Sequence, residues 1–174
     1  RLRTGISATL VHCTHNHNAP FTIPWSALGP RWLSGPGRNW RDGLAPKLAE
    51  LVFQAEAKSE PAVLRAGRAP VRIGTNRRLP TEHGIVMKPN PDGPVVPWVD
   101  VLRVDRNDGS PSAILFSHAA HPVIIHGASR LLSADYPGFA TRKLNERFGG
   151  NVMAMFGQAF GANINGDPLR GGIA

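Results

Sequence analysis

The spacing of apolar residues changes several times along this chain, and each change predicts an element. "ISATLVHCT" (Ile6–Thr14) is apolar and β-branched, which predicts a strand. "NAPFTIPWSALGPRWLSGPGRN" is dense in Pro, Gly and Trp and predicts a loop. From Asn39 to Lys58 the period turns helical. Leu44, Leu48, Leu51, Val52 and Ala55 fall on one face, Asn39 can cap the start, and Pro46 stands in the first turns, where proline is tolerated.

"AVLRAGRAPVRIG" (Ala62–Gly74) predicts one or two strands with a glycine break. "TNRRLPTEHGIVMKPNPDGPVVP" carries five prolines and predicts a long polar loop. "WVDVLRVD" (Trp98–Asp105) alternates as a strand does, "RNDGSPS" is a turn, and "AILFSHAAHPVII" (Ala113–Ile125) returns, so the pair predicts a hairpin. "ADYPGFATRKLNERFG" predicts a helix capped by Asp135 and ending near Phe148. "NVMAMFGQA" then predicts a buried strand running into the Gly-rich "FGANINGDP".

Helices alternating with apolar strands predict an α/β fold, a mixed β-sheet flanked by helices. No internal repeat and no linker divides the chain, so residues 1–174 are expected to form a single domain. The last residues, "GDPLRGGIA", lie in a Gly-rich turn with no closing element, and the chain is expected to be a segment of a longer protein.

The 174 residues are 41% hydrophobic and 18% charged, a globular composition. No apolar run approaches the roughly 20 residues of a membrane helix. The net charge of +8 fits an anionic partner such as nucleic acid or a membrane surface. The basic residues are scattered, with no Lys/Arg block and no RNA-binding or zinc-finger signature. No nucleic-acid partner is therefore expected, and a peripheral membrane contact stays open. The oligomeric state is not legible. The single Cys13 excludes an intrachain disulfide and is expected to be a buried small hydrophobe. The four Trp residues are expected in the core or a pocket wall.

The chemistry concentrates in the histidines. Three of the seven, His12, His15 and His17, fall within six residues. In an extended chain His15 and His17 project to one face and His12 to the other. Both would stand where the first strand stops, and in open α/β sheets ligands bind beyond the carboxyl ends of strands. His118 and His121 form a second pair at the end of another strand, and Pro122 biases His121 to an extended backbone. Two neutral imidazoles are good zinc ligands, yet zinc wants four partners, and Asp135 and Asp167 are candidates by type alone. On spacing, a metal site and scattered structural histidines both stand. His12 and His118 fit structural roles. The glycines from Gly157 to Gly166 fit neither the dinucleotide nor the P-loop spacing, and predict a backbone turn near the site.

Four blocks in order resemble the neutral/alkaline, non-lysosomal ceramidase family: "TLVHCTHNHNAP"; "TNRR" (Thr75–Arg78); "PWVDVLRVDRNDGSPSAILFSHAAHPVII"; and "LLSADYPGFATRKLNERFGGNVMAMFGQAFGANIN". The resemblance implies a zinc amidohydrolase acting on N-acylsphingosine or a related lipid amide, with the chain as the N-terminal metal-binding part of a larger catalytic domain. It implies that His15 and His121 are zinc ligands, that His17 lies beside the metal toward the substrate, and that Arg77 belongs to the active site. It places two further ligands, a Glu and a Tyr, later in the family's chains. It also implies export, to the periplasm or outside the cell.

The physical logic fits those residues. Zinc lowers the pKa of water from about 15.7 to about 7 and so supplies a nucleophile at neutral pH. Arg77 and His17 are then candidates to stabilise the oxyanion formed at an amide carbonyl. One stretch departs from the pattern. Asn163 and Asn165 stand where the family carries an acidic residue and a serine, which separates this chain from ceramide itself. The alternative is a non-catalytic or incomplete ceramidase-like domain that binds metal weakly, since two imidazoles alone hold zinc poorly.

Overall fold

Gly43 divides the expected long helix in two. The computed structural model describes residues 9–22, 34–125 and 131–166. In it α1 spans Gly35–Asp42 and α2 spans Leu44–Ala57. The Gly43 N–H donates to the Asn39 carbonyl at 3.1 Å, and a Cβ at position 43 would lie 3.2 Å from that same oxygen. Asn39 therefore lies inside α1, not at a cap. Pro36, with its fixed φ, starts that helix in its first turn. These helices belong to one compact unit, residues 1–11 and 19–61; His12–Asn18 and residues 62–174 form the other. No residue of α2 is buried, so its apolar face is patterned but uncovered.

The second unit is mixed α/β with two sheets in place of the single one expected. The larger has the order β1 (Val63–Pro70), β4 (Trp98–Asp105), β5 (Pro111–His118), β6 (Met153–Gln158). The first three strands pair antiparallel, and β5 and β6 pair parallel. A parallel pair needs a crossover, supplied here by α3 (Asp135–Arg147). Phe116 and Phe156 face each other in register, with ring centroids 5.4 Å apart, and Tyr136 of α3 meets Phe156 edge-on at 5.6 Å. That face is the core. Leu64, Leu115, Met153 and Met155 on the opposite face stay exposed.

The smaller sheet overturns the expected proline-rich loop. It has the order β3 (Gly84–Asn90), β2 (Gly74–Thr81), β7 (Ile164–Gly166). Its prolines sit where a strand tolerates them. Pro80 falls beyond the reach of β7, which pairs only with residues 74–76. Pro89 lies where the β2–β3 register shifts, between Asn76 and Arg78. Thr81 pairs with Gly84 across a two-residue turn, and Gly84 takes the φ of +105° that a glycine accepts.

Three other expectations change. The strand expected at Ile6–Thr14 is absent from its described part, residues 9–14; residues 6–8 lie outside the described residues. Cys13 is accordingly exposed, not buried. Strand β5 stops at His118, seven residues short of Ile125, because the chain bends through Ala119–Pro122 and the His121 N–H donates to Ile164 O of β7. Of the four Trp, Trp40 is exposed on α1, and Trp98 is half-buried under the Arg68 guanidinium at 4.6 Å; Trp25 and Trp32 lie outside the described residues. No helix among the described residues is long and apolar enough to cross a membrane.

Candidate metal centre

His121 stands three residues past the end of β5 and is buried. Its neighbours Ala119 and Ala120 form a small-residue core with Ile164, and this lets β7 approach closely. Gly74 permits the same approach from β2, since a Cβ there would lie 2.4 Å from Ile164 Cγ2. The turn between β6 and β7 then wraps the imidazole. His121 Nδ1 lies 2.6 Å from Gly161 O and 3.1 Å from Ile164 O. Both neighbours only accept, so Nδ1 carries the proton and Nε2 keeps its lone pair for a ligand. The expected backbone turn near the site is thus the wall that orients this ring.

His15 and His17 meet His121 from the other side. The rings of His15 and His121 are 4.7 Å apart between centroids, those of His15 and His17 5.1 Å, and those of His17 and His121 5.9 Å. One nitrogen from each lies within 4.8 Å of the others. A tetrahedral zinc with bonds of about 2.0–2.1 Å separates its donors by roughly 3.4 Å, so small ring movements suffice to close the set. Three nitrogens leave a fourth position open, the pattern of catalytic zinc sites. His118 takes no part. It is buried in the core, its Nδ1 2.9 Å from Trp98 O.

Strand alternation does not produce this convergence. His15 has φ +58°, the left-handed region that non-glycine residues rarely enter, and the chain turns there. Its neighbours hold the turn. The Asn16 side chain donates to Ser133 O at 2.8 Å and accepts from the Asn18 N–H at 2.6 Å, while the Ser133 N–H donates to Asn18 O at 3.0 Å. His12 Nε2 accepts from the Gln158 N–H at 2.8 Å and tethers the segment to the end of β6. Backbone strain of this sort costs on the order of 1–3 kcal/mol and persists where surrounding contacts over-determine it.

Asn16, Asn18 and Ser133 went unnoticed in the sequence. The alternation "HNHN" carried the signal, since Asn favours local side-chain-to-backbone bonds and tight turns. Asp135 is the first residue of α3 and not its cap, which falls on Ala134; it is buried, with φ +51°. It accepts from the Tyr136 N–H and, from the His121 side, the Ile125 N–H at 2.9 Å. Tyr136 donates its hydroxyl to Ala120 O at 2.8 Å, and burial pushes its phenol well above the usual range. Both pin the segment that bears His121. Asp167 lies outside the described residues.

Arg77 lies beside the cluster. Its Nε and Nη2 donate to Ala162 O at 3.1 and 2.7 Å, and Nη1 donates to Asn165 Oδ1 at 3.2 Å. Its N–H donates to Asn163 O at 2.8 Å. The residues that depart from the ceramidase pattern are thus the ones this arginine holds. Burial, then the nearby His121, then the Arg77 charge lower the pKa of His15, so its imidazole is neutral and ligand-competent further into acid than a free one.

With this geometry the fold can be compared with solved structures. It resembles a neutral ceramidase from Pseudomonas aeruginosa, at 18% identity and a TM-score of 0.59, over 73% of this chain and 21% of that one. It also resembles a ceramidase complexed with C2, at 18% identity and 0.58, over 72% of this chain and 20% of that one. The chain spans about a fifth of the length of these neighbours. The fold is therefore ceramidase-like. No protein-family model and no curated protein matches the sequence.

Proposed function

We propose that this chain is the metal-binding part of a zinc-dependent amide hydrolase of the ceramidase type. The observation that carries the reading is the convergence of His15, His17 and His121, residues up to 106 positions apart, within 4.8 Å of one another. His15 and His121 are the two ligands the motifs indicate, and His17 closes a three-nitrogen set. The donors fit zinc by type, since neutral imidazoles suit it and one of the three rings is already fixed in the right tautomer.

Bound there, zinc would supply Lewis acidity and a water-derived nucleophile at neutral pH. The chain's own residues do the rest. His121 is buried and holds its lone pair outward, and the exposed His15 and His17 leave the site open toward substrate. The likeness to ceramidases supports a lipid amide as substrate. Asn165, where that family has serine, favours a lipid amide other than ceramide.

A second reading keeps His17 out of the donor set, facing the reacting carbonyl. The longer 5.9 Å between its ring and that of His121 favours it. His17→Ala separates the two: loss of zinc marks a ligand, and retained zinc marks a substrate contact. The function itself is tested by incubating the zinc-loaded full chain with N-acylated lipid amines. Release of free acid that stops on chelation and in His121→Asn supports it. Release that survives both overturns it. Zinc binding without release supports the metal-binding part alone.

A further inference from the structure

We propose that Arg77 is a positioning residue that sets the ring of His121 by clamping the turn between β6 and β7. The assignment departs from a direct contact with substrate or oxyanion. The guanidinium makes three hydrogen bonds: two end on Ala162 O in that turn and one on Asn165 Oδ1 in β7, the strand the turn leads into. A fourth bond runs from the Arg77 backbone to Asn163 O. Ala162 sits between the two residues whose carbonyls receive His121 Nδ1, Gly161 and Ile164. Asn165, the clamp's other end, forms a bridge with the His121 backbone. The turn therefore grips the imidazole on its inner side and is gripped by Arg77 on its outer side.

The physics favours this role. The turn has little internal reinforcement, with bonds from Gly161 N to Ala159 O and from Ile164 N to Gly161 O. An exposed Phe160 next to it adds no packing. A planar guanidinium with several fixed donors is suited to hold carbonyl oxygens that nothing else fixes. Released, the turn would let Gly161 O leave Nδ1, and both the tautomer and the aim of Nε2 would loosen. Outer contacts of this kind typically change metal affinity by about 10- to 100-fold. The consequence for metal rests on the zinc reading above; the consequence for the ring's proton does not.

The test uses the metal-free full chain, with the imidazole ¹⁵N–¹H correlation of His121 as readout, followed by zinc titration. Wild type should show a slowly exchanging Nδ1–H. Arg77→Gln should lose that resonance and bind zinc at least about 10-fold more weakly. Arg77→Lys, able to give Ala162 O one bond in place of two, should exchange at an intermediate rate. Arg106→Gln is the control, because Arg106 holds the distant β4–β5 turn through Pro111 O at 2.8 Å; it should leave the resonance unchanged. An Nδ1–H as protected in Arg77→Gln or Arg77→Lys as in wild type overturns the proposal. Wild-type protein that shows the proton yet binds no zinc leaves the clamp standing and removes the hydrolase reading.

Discussion

The Nδ1 of His121 lies 2.6 Å from the carbonyl oxygen of Gly161, forty residues further along the chain. This contact decides which nitrogen of the ring is free, and it depends on residue 161 having no side chain. A Cβ there would lie 3.1 and 3.2 Å from the Ala119 carbonyl group and 2.8 Å from Gln158 Nε2.

Gly161→Ala therefore presses against the buried Ala119 backbone, which must give by a few tenths of an ångström or push the turn away. The expected outcome is a loss of about 1–3 kcal/mol, the usual cost of overpacking, and weaker zinc binding. Urea denaturation and calorimetric titration measure both. Full stability with full affinity would show that the turn accommodates a methyl group without moving its carbonyl.

Tyr136→Phe removes the hydroxyl that donates to Ala120 O, in a residue with no exposed surface. An unpaired buried carbonyl costs about 1–3 kcal/mol. The denaturation midpoint should fall while its slope stays constant, because the surface exposed on unfolding is nearly unchanged.

His15→Asn separates backbone conformation from chemistry. Asn enters the left-handed region more readily than other side chains, so the turn at φ +58° should survive. Circular dichroism and thermal midpoint should stay near wild type while zinc affinity drops more than about tenfold, the loss of one donor from a three-nitrogen set. An unchanged affinity would remove His15 from the site.

The pH dependence of His15 has a definite sign. Burial lowers its folded pKa below 6.5, and the neighbouring His121 and then the Arg77 guanidinium lower it further. The unfolded chain thus takes up this proton first. The contribution of His15 to stability is complete above about pH 6.5 and is lost as pH falls below it. In a histidine titration of metal-free protein its midpoint should lie below 6.5, and Arg77→Gln should raise it slightly, since the arginine is the least of the three causes. A midpoint above 6.5 in wild type would contradict the described surroundings.

Elements with strong periodicity were legible in the sequence. Strand β4, helix α3 and the parallel strand β6 fall where alternation, a helical start and an apolar run predict them. The pair β2–β3 is hidden because five prolines between Thr75 and Pro97 make the stretch look like a loop. Pro80 pairs with Ile85 on one side but lies beyond the residues β7 pairs with on the other, and Pro89 falls at the register shift, which only the register reveals. The long helix was divided by Gly43, whose tight approach to the Asn39 carbonyl is a property of the folded backbone.

At the candidate site, residue type and spacing leave His15, His17 and His121 open between a metal site and structural roles; the ceramidase resemblance is what groups them, and the cause of their convergence differs from the expected one. An extended strand was expected, and a left-handed turn at His15 does the work. Of the bonds that hold the turn, the one between Asn18 and Asn16 is local and fits the "HNHN" pattern, while those to Ser133 span more than a hundred positions, which no local pattern encodes. The same is true of Arg77: its residue type was visible, and its grip on Ala162 was not.

The central claim is tested most directly by X-ray absorption on the zinc-loaded full chain, with zinc at one equivalent. Three imidazole nitrogens at about 2.0–2.1 Å, falling to two in His17→Ala, are the predicted result. A spectrum with no more than one imidazole on the metal, or one unchanged by His121→Asn, would contradict it.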